Sequence, residues 1–284
     1  GSLMRFTTDF PRLLQHKEAQ LARKEGESPT PVGVQTWKFL GDEIIFRAEV
    51  INSKTVPRVV LALRDAVQEW NSRELLRPES ELKVKASAWL SGFPVVNAVL
   101  PSQDGGCEDY VGPSMDVGFR ICRLAKPTRI PITVDLAWMI LMSECKELDI
   151  FLDDHSDLKG ITHNAGYPGL WIEVGNSQFA HVERELLGRG NQPRERLLQL
   201  CEAYIAEFGV PRFPPFIPSG DESRNCLDPD YNTKYEKTCD ALKKLHGIVA
   251  EPEQPEEQNP NQLSEEAALS EKLRRLTTLT PNSE

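Results

Sequence analysis

Three charged side chains stand where they could do chemistry: Asp42, Asp116 and Arg120. Asp42 follows Gly41 between two β-rich runs, so residues 32–50 read as a hairpin with Asp42 at its tip. A carboxylate placed there is held by the sheet yet open to solvent, which suits a metal ligand. Asp and Gly also supply turn geometry in any hairpin, and the stretch alone favours that plainer role. Asp116 and Arg120 lie four apart in a run that opens Gly112-Pro113-Ser114. Pro113 fits a first helical turn, Ser114 and Asp116 suit a helix N-terminus, and Asp116 and Arg120 then share one helix face. An exposed ion pair at that spacing, contributing about 0.3–0.5 kcal/mol, accounts for both residues without a site.

These residues need a scaffold, and the chain supplies one. At 284 residues it can hold one large domain, or one domain with appendages, and 39% hydrophobic residues support a core in the first two thirds. A formal net charge of −10 argues against nonspecific nucleic-acid binding through a basic surface. An acidic protein that handles a polyanion must gather its cations, or metal ions, at the site. The six cysteines are scattered with no CxxC pair, which argues against a zinc module and fits reduced thiols in a cytosolic protein. With no apolar run long enough to span a membrane and no signal peptide, the expectation is a soluble, cytoplasmic protein.

Leu3, Phe6, Phe10, Leu13 and Leu14 form a helix face whose start is limited by Pro11, and residues 15–31 turn charged and end in a loop. After the hairpin, Pro57 to Trp70 repeats apolar residues at helical spacing. Leu82 to Leu90 alternates like a half-buried strand, and a short apolar run follows from Val95 to Leu100. Residues 101–107 form a Gly-rich loop, 109–111 a strand end, and 113–125 the helix with Asp116 and Arg120. A strand at 129–134, a helix at 136–142 and a last strand at 169–174 complete the pattern. Helices interleaved with a largely antiparallel sheet indicate an α+β sandwich, not a doubly wound parallel sheet. Residues 1–175 are therefore expected to form the main domain and 176–250 a helical and proline-rich extension. An acidic linker with a terminal helix is expected at 251–284.

Gly41-Asp42 at a hairpin tip, followed downstream by Asp109-x-x-Gly112-x-x-x-Asp116-x-x-x-Arg120, resembles the class III nucleotidyl cyclases over roughly residues 1–174. The resemblance implies a ferredoxin-like α+β domain that dimerises head to tail and builds its sites at the interface. It implies cyclisation of a nucleoside triphosphate to a 3′,5′-cyclic nucleotide and pyrophosphate, with two Mg²⁺ or Mn²⁺ ions per site. Asp42 then corresponds to the second metal aspartate, Lys38 and Asp109 to the base-contacting pair, and Arg120 to the arginine on the reacting phosphorus. Asp116 stands where many members place a ribose-orienting asparagine, and Lys159-Gly160 resembles a late Lys-Gly that reaches the triphosphate. The first metal aspartate of the pattern is not in this numbering. Either Gly1-Ser2 end the strand that carries it, or they are residues left by cloning.

As a whole, the sequence is most similar to the stand-alone pyrimidine cyclases of bacterial Pycsar antiphage systems. That similarity implies UTP, then CTP, as substrate, and a separate effector that senses the cyclic product. Asp116 in place of asparagine, the aromatic flanks Trp37 and Phe39, and the proline-rich stretch from Pro211 separate the chain from a generic adenylate cyclase. Adenylate cyclisation stays open, as does a catalytically degenerate cyclase-fold domain serving regulation or dimerisation.

Overall fold

In the computed structural model, which describes residues 2–26, 33–77, 82–93, 97–100, 108–143, 145–156, 158, 166–175, 178–187 and 192–208 with 233, 236, 237 and 240, the chain opens on helix α1 (Ser2–Lys24). Pro11 does not limit this helix, which runs through it and on past residue 15. An interior proline costs about 3 kcal/mol. The face formed by Phe6, Phe10, Leu13 and Leu14 is buried, and each such side chain contributes about 1.5–3 kcal/mol, so burial wins. The chain divides into two units, Gly1–Cys239 and Asp240–Glu284. Everything below belongs to the first.

Helix α2 (Thr55–Leu75) packs on α1. Trp70 meets both Phe6 and Phe10 edge-on with ring centroids 5.8 Å apart. Arg58, 1% exposed, is neutralised within this interface by Glu18 at 3.0 Å and Glu25 at 3.1 Å. The charged stretch after residue 15, which the sequence reading left without an assigned helix, is helical to Lys24, and its acids Glu18 and Glu25 serve a buried partner.

The hairpin is strand β1 (Gln35–Leu40) antiparallel to β2 (Glu43–Arg47), with a two-residue turn at Gly41-Asp42. Gly41 has φ of 63°, the left-handed backbone that such short turns demand. The register slips between Thr36 and Lys38, so Trp37 forms a bulge. Short strands β3 (Ala98–Leu100) and β4 (Asp109–Val111) pair antiparallel and lead through Gly112 into α3 (Pro113–Ile121). A third sheet has the order β5 (Arg129–Pro131), β7 (Tyr167–Glu173), β6 (Ile150–Ser156), all antiparallel. Helix α4 (Val134–Met142) follows β5 directly, and α5 (Gln178–Leu186) and α6 (Arg194–Phe208) end the described fold.

Among the described residues the strands form three separate sheets instead of the single sheet expected from sequence. Residues 82–90 are the clearest departure. They run extended, but their one ladder contact is a parallel bridge from Ala88 to Ile132. Pro131 opposite has no N–H to donate, and the backbone of Val84 is instead held at both ends by the Asn71 side chain, at 2.8 and 2.9 Å. Between this segment and β2 lies a largely apolar cleft of about 930 Å³, lined by Phe46, Ala48, Leu82, Ala86, Ala88 and Trp89 among others. The strand β6 has no counterpart in the sequence reading, because Asp153, Asp154 and His155 interrupt its apolar pattern.

Candidate functional site

The hairpin carries the first candidates. Asp42 is exposed at the turn, beside Glu43, and lines the edge of the cleft. The bulge turns Trp37 inward, where it is 5% exposed and clusters with Ile45 and Met115. Its indole N–H donates to the Glu108 carbonyl at 2.7 Å, and its ring meets Tyr110 edge-on at 4.9 Å. These two contacts fasten the hairpin to the start of β4. The consequence is local: Lys38, next in sequence, reaches Asp109, the first residue of β4.

Lys38 Nζ lies 2.6 Å from Asp109 Oδ1 and 4.1 Å from the Trp37 ring centroid. The hydrogen bond from Lys38 holds the Asp109 carboxyl below its ordinary range, helped by the Tyr110 N–H. Both side chains keep contact with solvent, at 30% and 50% exposure, so they remain available to a ligand. Of the residues picked from sequence, these two are brought into direct contact. Phe39, one of the two aromatic flanks, points outward at 52% exposure, and Trp37 serves as the floor under Lys38.

Helix α3 carries Asp116 in its first turn and Arg120 in its last, both exposed. Its inner face, with Met115, Gly118 and Ile121, is buried. Phe119 lines the same cleft as Asp42. Cys122, at the end of α3, is a free thiol pushed up by burial, with Ser87 Oγ at 2.9 Å. Cys145 and Cys201 are free as well. Lys159 and Gly160 lie outside the described residues, as do 211–218 and 251–284.

Among the described residues no group of three or more His, Cys, Asp or Glu gathers where it could hold a metal ion. Asp42 brings one carboxylate, with the exposed Glu43 next to it in the chain. Oxygen donors of this kind suit an ion such as Mg²⁺, which commonly takes one or two carboxylates and completes its shell with phosphate and water.

Two residues that matter to this arrangement escaped the sequence reading. Tyr110 sits between Trp37 and Phe93, with ring centroids 4.9 and 5.2 Å away. Asn97 is fully buried and bonds to Ser114 at the start of α3. An asparagine at the end of an apolar run, Val95-Val96-Asn97-Ala98-Val99, was the available signal.

No family model and no curated protein matches the sequence. Among solved structures, the chain is similar to the adenylyl cyclase CyaB from P. aeruginosa, with 13% identity and a TM-score of 0.38 over 60% of this chain and 83% of that one. It is also similar to the catalytic core of a rhodopsin-guanylyl cyclase with converted specificity in complex with ATPalphaS. There the identity is 18% and the TM-score 0.37, over 60% of this chain and 85% of that one. Both scores fall below 0.5. No helix among the described residues is long and apolar enough to cross a membrane.

Proposed function

We propose that this protein is a nucleotide cyclase, a lyase that converts a nucleoside triphosphate into a 3′,5′-cyclic nucleotide and pyrophosphate. The observation that carries the reading is the Lys38–Asp109 contact of 2.6 Å. Two residues 71 apart, assigned together as base readers by the family resemblance, meet at the junction of two hairpins while staying open to solvent.

In this reading Lys38 donates to a base carbonyl and Asp109 accepts a ring N–H or an exocyclic amine. Arg120 stabilises charge on the reacting phosphorus, and removing one such group typically costs about 10²–10³ in rate. Asp116 orients the ribose, and Lys159 adds a cation for the triphosphate. Asp42 would hold Mg²⁺ or Mn²⁺, with two ions per site. Such ions neutralise the triphosphate and lower the pKa of the attacking hydroxyl. Two ions need a second aspartate beside Asp42.

The substrate is UTP first and CTP second. Uracil gives Lys38 a carbonyl and Asp109 a ring N–H, cytosine presents an amine to Asp109 instead, and adenine satisfies the same pair but needs a wider slot. We further propose a two-fold homodimer with interface sites, a cytoplasmic location, and an antiphage role in which the cyclic product activates a separate effector.

The test incubates the full-length protein with each of the four ribonucleoside triphosphates and Mn²⁺, and identifies any cyclic product. Cyclic UMP as the main product is expected, lost in Asp42→Ala and in Arg120→Ala and partly restored when the two variants are mixed. Preference for ATP refutes the pyrimidine assignment. No cyclic product from any triphosphate refutes the enzyme and leaves a regulatory or dimerisation domain.

A further inference from the structure

Helix α3 begins without a cap of its own. Gly112 precedes it and has no side chain to offer, and Pro113 has no N–H. Ser114 therefore presents the first free backbone donor, and a side chain from another element takes it. Asn97 Oδ1 accepts the Ser114 N–H at 3.1 Å, while Asn97 Nδ2 donates to Ser114 Oγ at 3.1 Å and to the Gly92 carbonyl at 2.8 Å. The amide is fully buried with three bonds, one of them back to the segment before β3.

The fit around it is tight. Gly112 has φ of 142°, and a Cβ there would lie 2.5 Å from Asn97 Oδ1 and 2.8 Å from Asn97 Cα. Midway along the helix the Trp89 ring lies on Gly118, where a Cβ would come within 2.2 Å of it. Two glycines thus let α3 settle against Trp89 and Asn97, one contact aromatic and one polar. The position of the helix is set by Trp89 and Asn97, outside its own stretch of chain, and Asp116 and Arg120 ride on its exposed side.

We propose that Asn97 is a positioning residue: by capping α3 from the residue just before β3 it fixes where Asp116 and Arg120 stand. This rests on the nucleotide-cyclase reading, in which those two side chains meet the ribose and the reacting phosphorus. Asn97 itself touches no substrate. A displacement of about 1 Å in such groups can cost 10²-fold in rate, whereas ground-state binding through Lys38 and Asp109 is unaffected.

The experiment compares wild type, Asn97→Ala and Gly112→Ala, with Arg58→Met as a control that loses stability at a distance. Amide hydrogen exchange is followed by mass spectrometry, and kcat and KM are measured on the best triphosphate. In both Asn97→Ala and Gly112→Ala, exchange over residues 113–121 should rise about tenfold with residues 134–142 unchanged. The kcat should fall at least about tenfold with KM within about threefold, and Asn97→Ala should slow the Arg120→Ala enzyme by clearly less than it slows wild type, because part of its effect runs through Arg120. Arg58→Met should keep its kcat. Exchange that rises equally throughout, an unchanged kcat, or full additivity with Arg120→Ala would overturn the proposal. If wild type forms no cyclic product, the cyclase reading fails by itself, and the exchange arm still decides whether Asn97 orders α3.

Discussion

Arg58 and Lys38 each form an ion pair at hydrogen-bond distance, yet the two belong to different kinds of structure. Arg58 lies between α1 and α2, with side-chain exposures of 1% for itself and 6% for Glu18. Lys38 and Asp109 join two hairpins at 30% and 50%. In the first region the buried charge is answered inside the fold. In the second, charges are held in place yet left within reach of solvent, which is the condition for meeting a ligand. The same division runs through the molecule. On β7, Trp171 stacks on Phe151 at 4.6 Å, Arg129 and Arg184 lie over these rings, and Glu173 pairs with Arg184 at 2.7 Å. Around the cleft, Asp42, Asp116 and Arg120 face outward from elements anchored by Trp37, Trp89 and Asn97.

The contrast is broken hardest by Arg58→Ala. Glu18 would be left buried without its partner, and loss of one member of a buried pair costs about 3–5 kcal/mol. Urea unfolding should show that loss, and a change under 1 kcal/mol would mean that water reaches the pair. Gly118→Ala comes next, because Trp89 cannot remain where it is. A destabilisation of about 1–3 kcal/mol is expected from overpacking, with near-UV circular dichroism reporting the moved indole.

Asp135 supplies a pH-dependent test within the well-packed region. Burial pushes its carboxyl up to about 6, beside Tyr167, Cys201 and Tyr204. A carboxyl raised in the folded state favours folding when protonated, so its contribution is full below about pH 4 and lost as pH rises through 6. The first turn of α4 offsets part of the shift, because a helix N-terminus favours the charged form. Asp135→Asn should therefore be more stable than wild type by about 2 kcal/mol at pH 7.5, with the difference vanishing near pH 3.8. The smallest effect belongs to Asp109→Asn. A pair as exposed as Lys38–Asp109 is worth about 0–1 kcal/mol, so stability should hardly move while base preference does.

Sequence legibility follows the same divide. Helix α2 was visible because its apolar residues recur at helical spacing, and the hairpin because Gly41-Asp42 leaves few other local structures. The pairing of Lys38 with Asp109 was not derivable from spacing, since nothing in a linear pattern brings positions 71 apart together; the family resemblance alone grouped them. The helical course of residues 15–24 was hidden because their charges are used against Arg58, a partner 40 residues away from Glu18. Residues 82–90 alternate like a strand, yet Asn71 and Pro131 divert their backbone bonds. The role of Asn97 was hidden for a related reason: a cap is sought just before a helix, and this one comes from a residue 17 positions from Ser114, just before β3.

The tryptophans give these regions separate optical signatures. Trp70, Trp138 and Trp171 are buried with indole N–H groups that find no hydrogen-bond acceptor among the described residues. Indoles in such surroundings emit toward the blue and are shielded from ionic quenchers. Trp89 is more open and lies directly on α3. Iodide quenching of the red edge of the emission spectrum would therefore follow the helix that carries Asp116 and Arg120, while the blue edge follows the interior, in one sample and without a label.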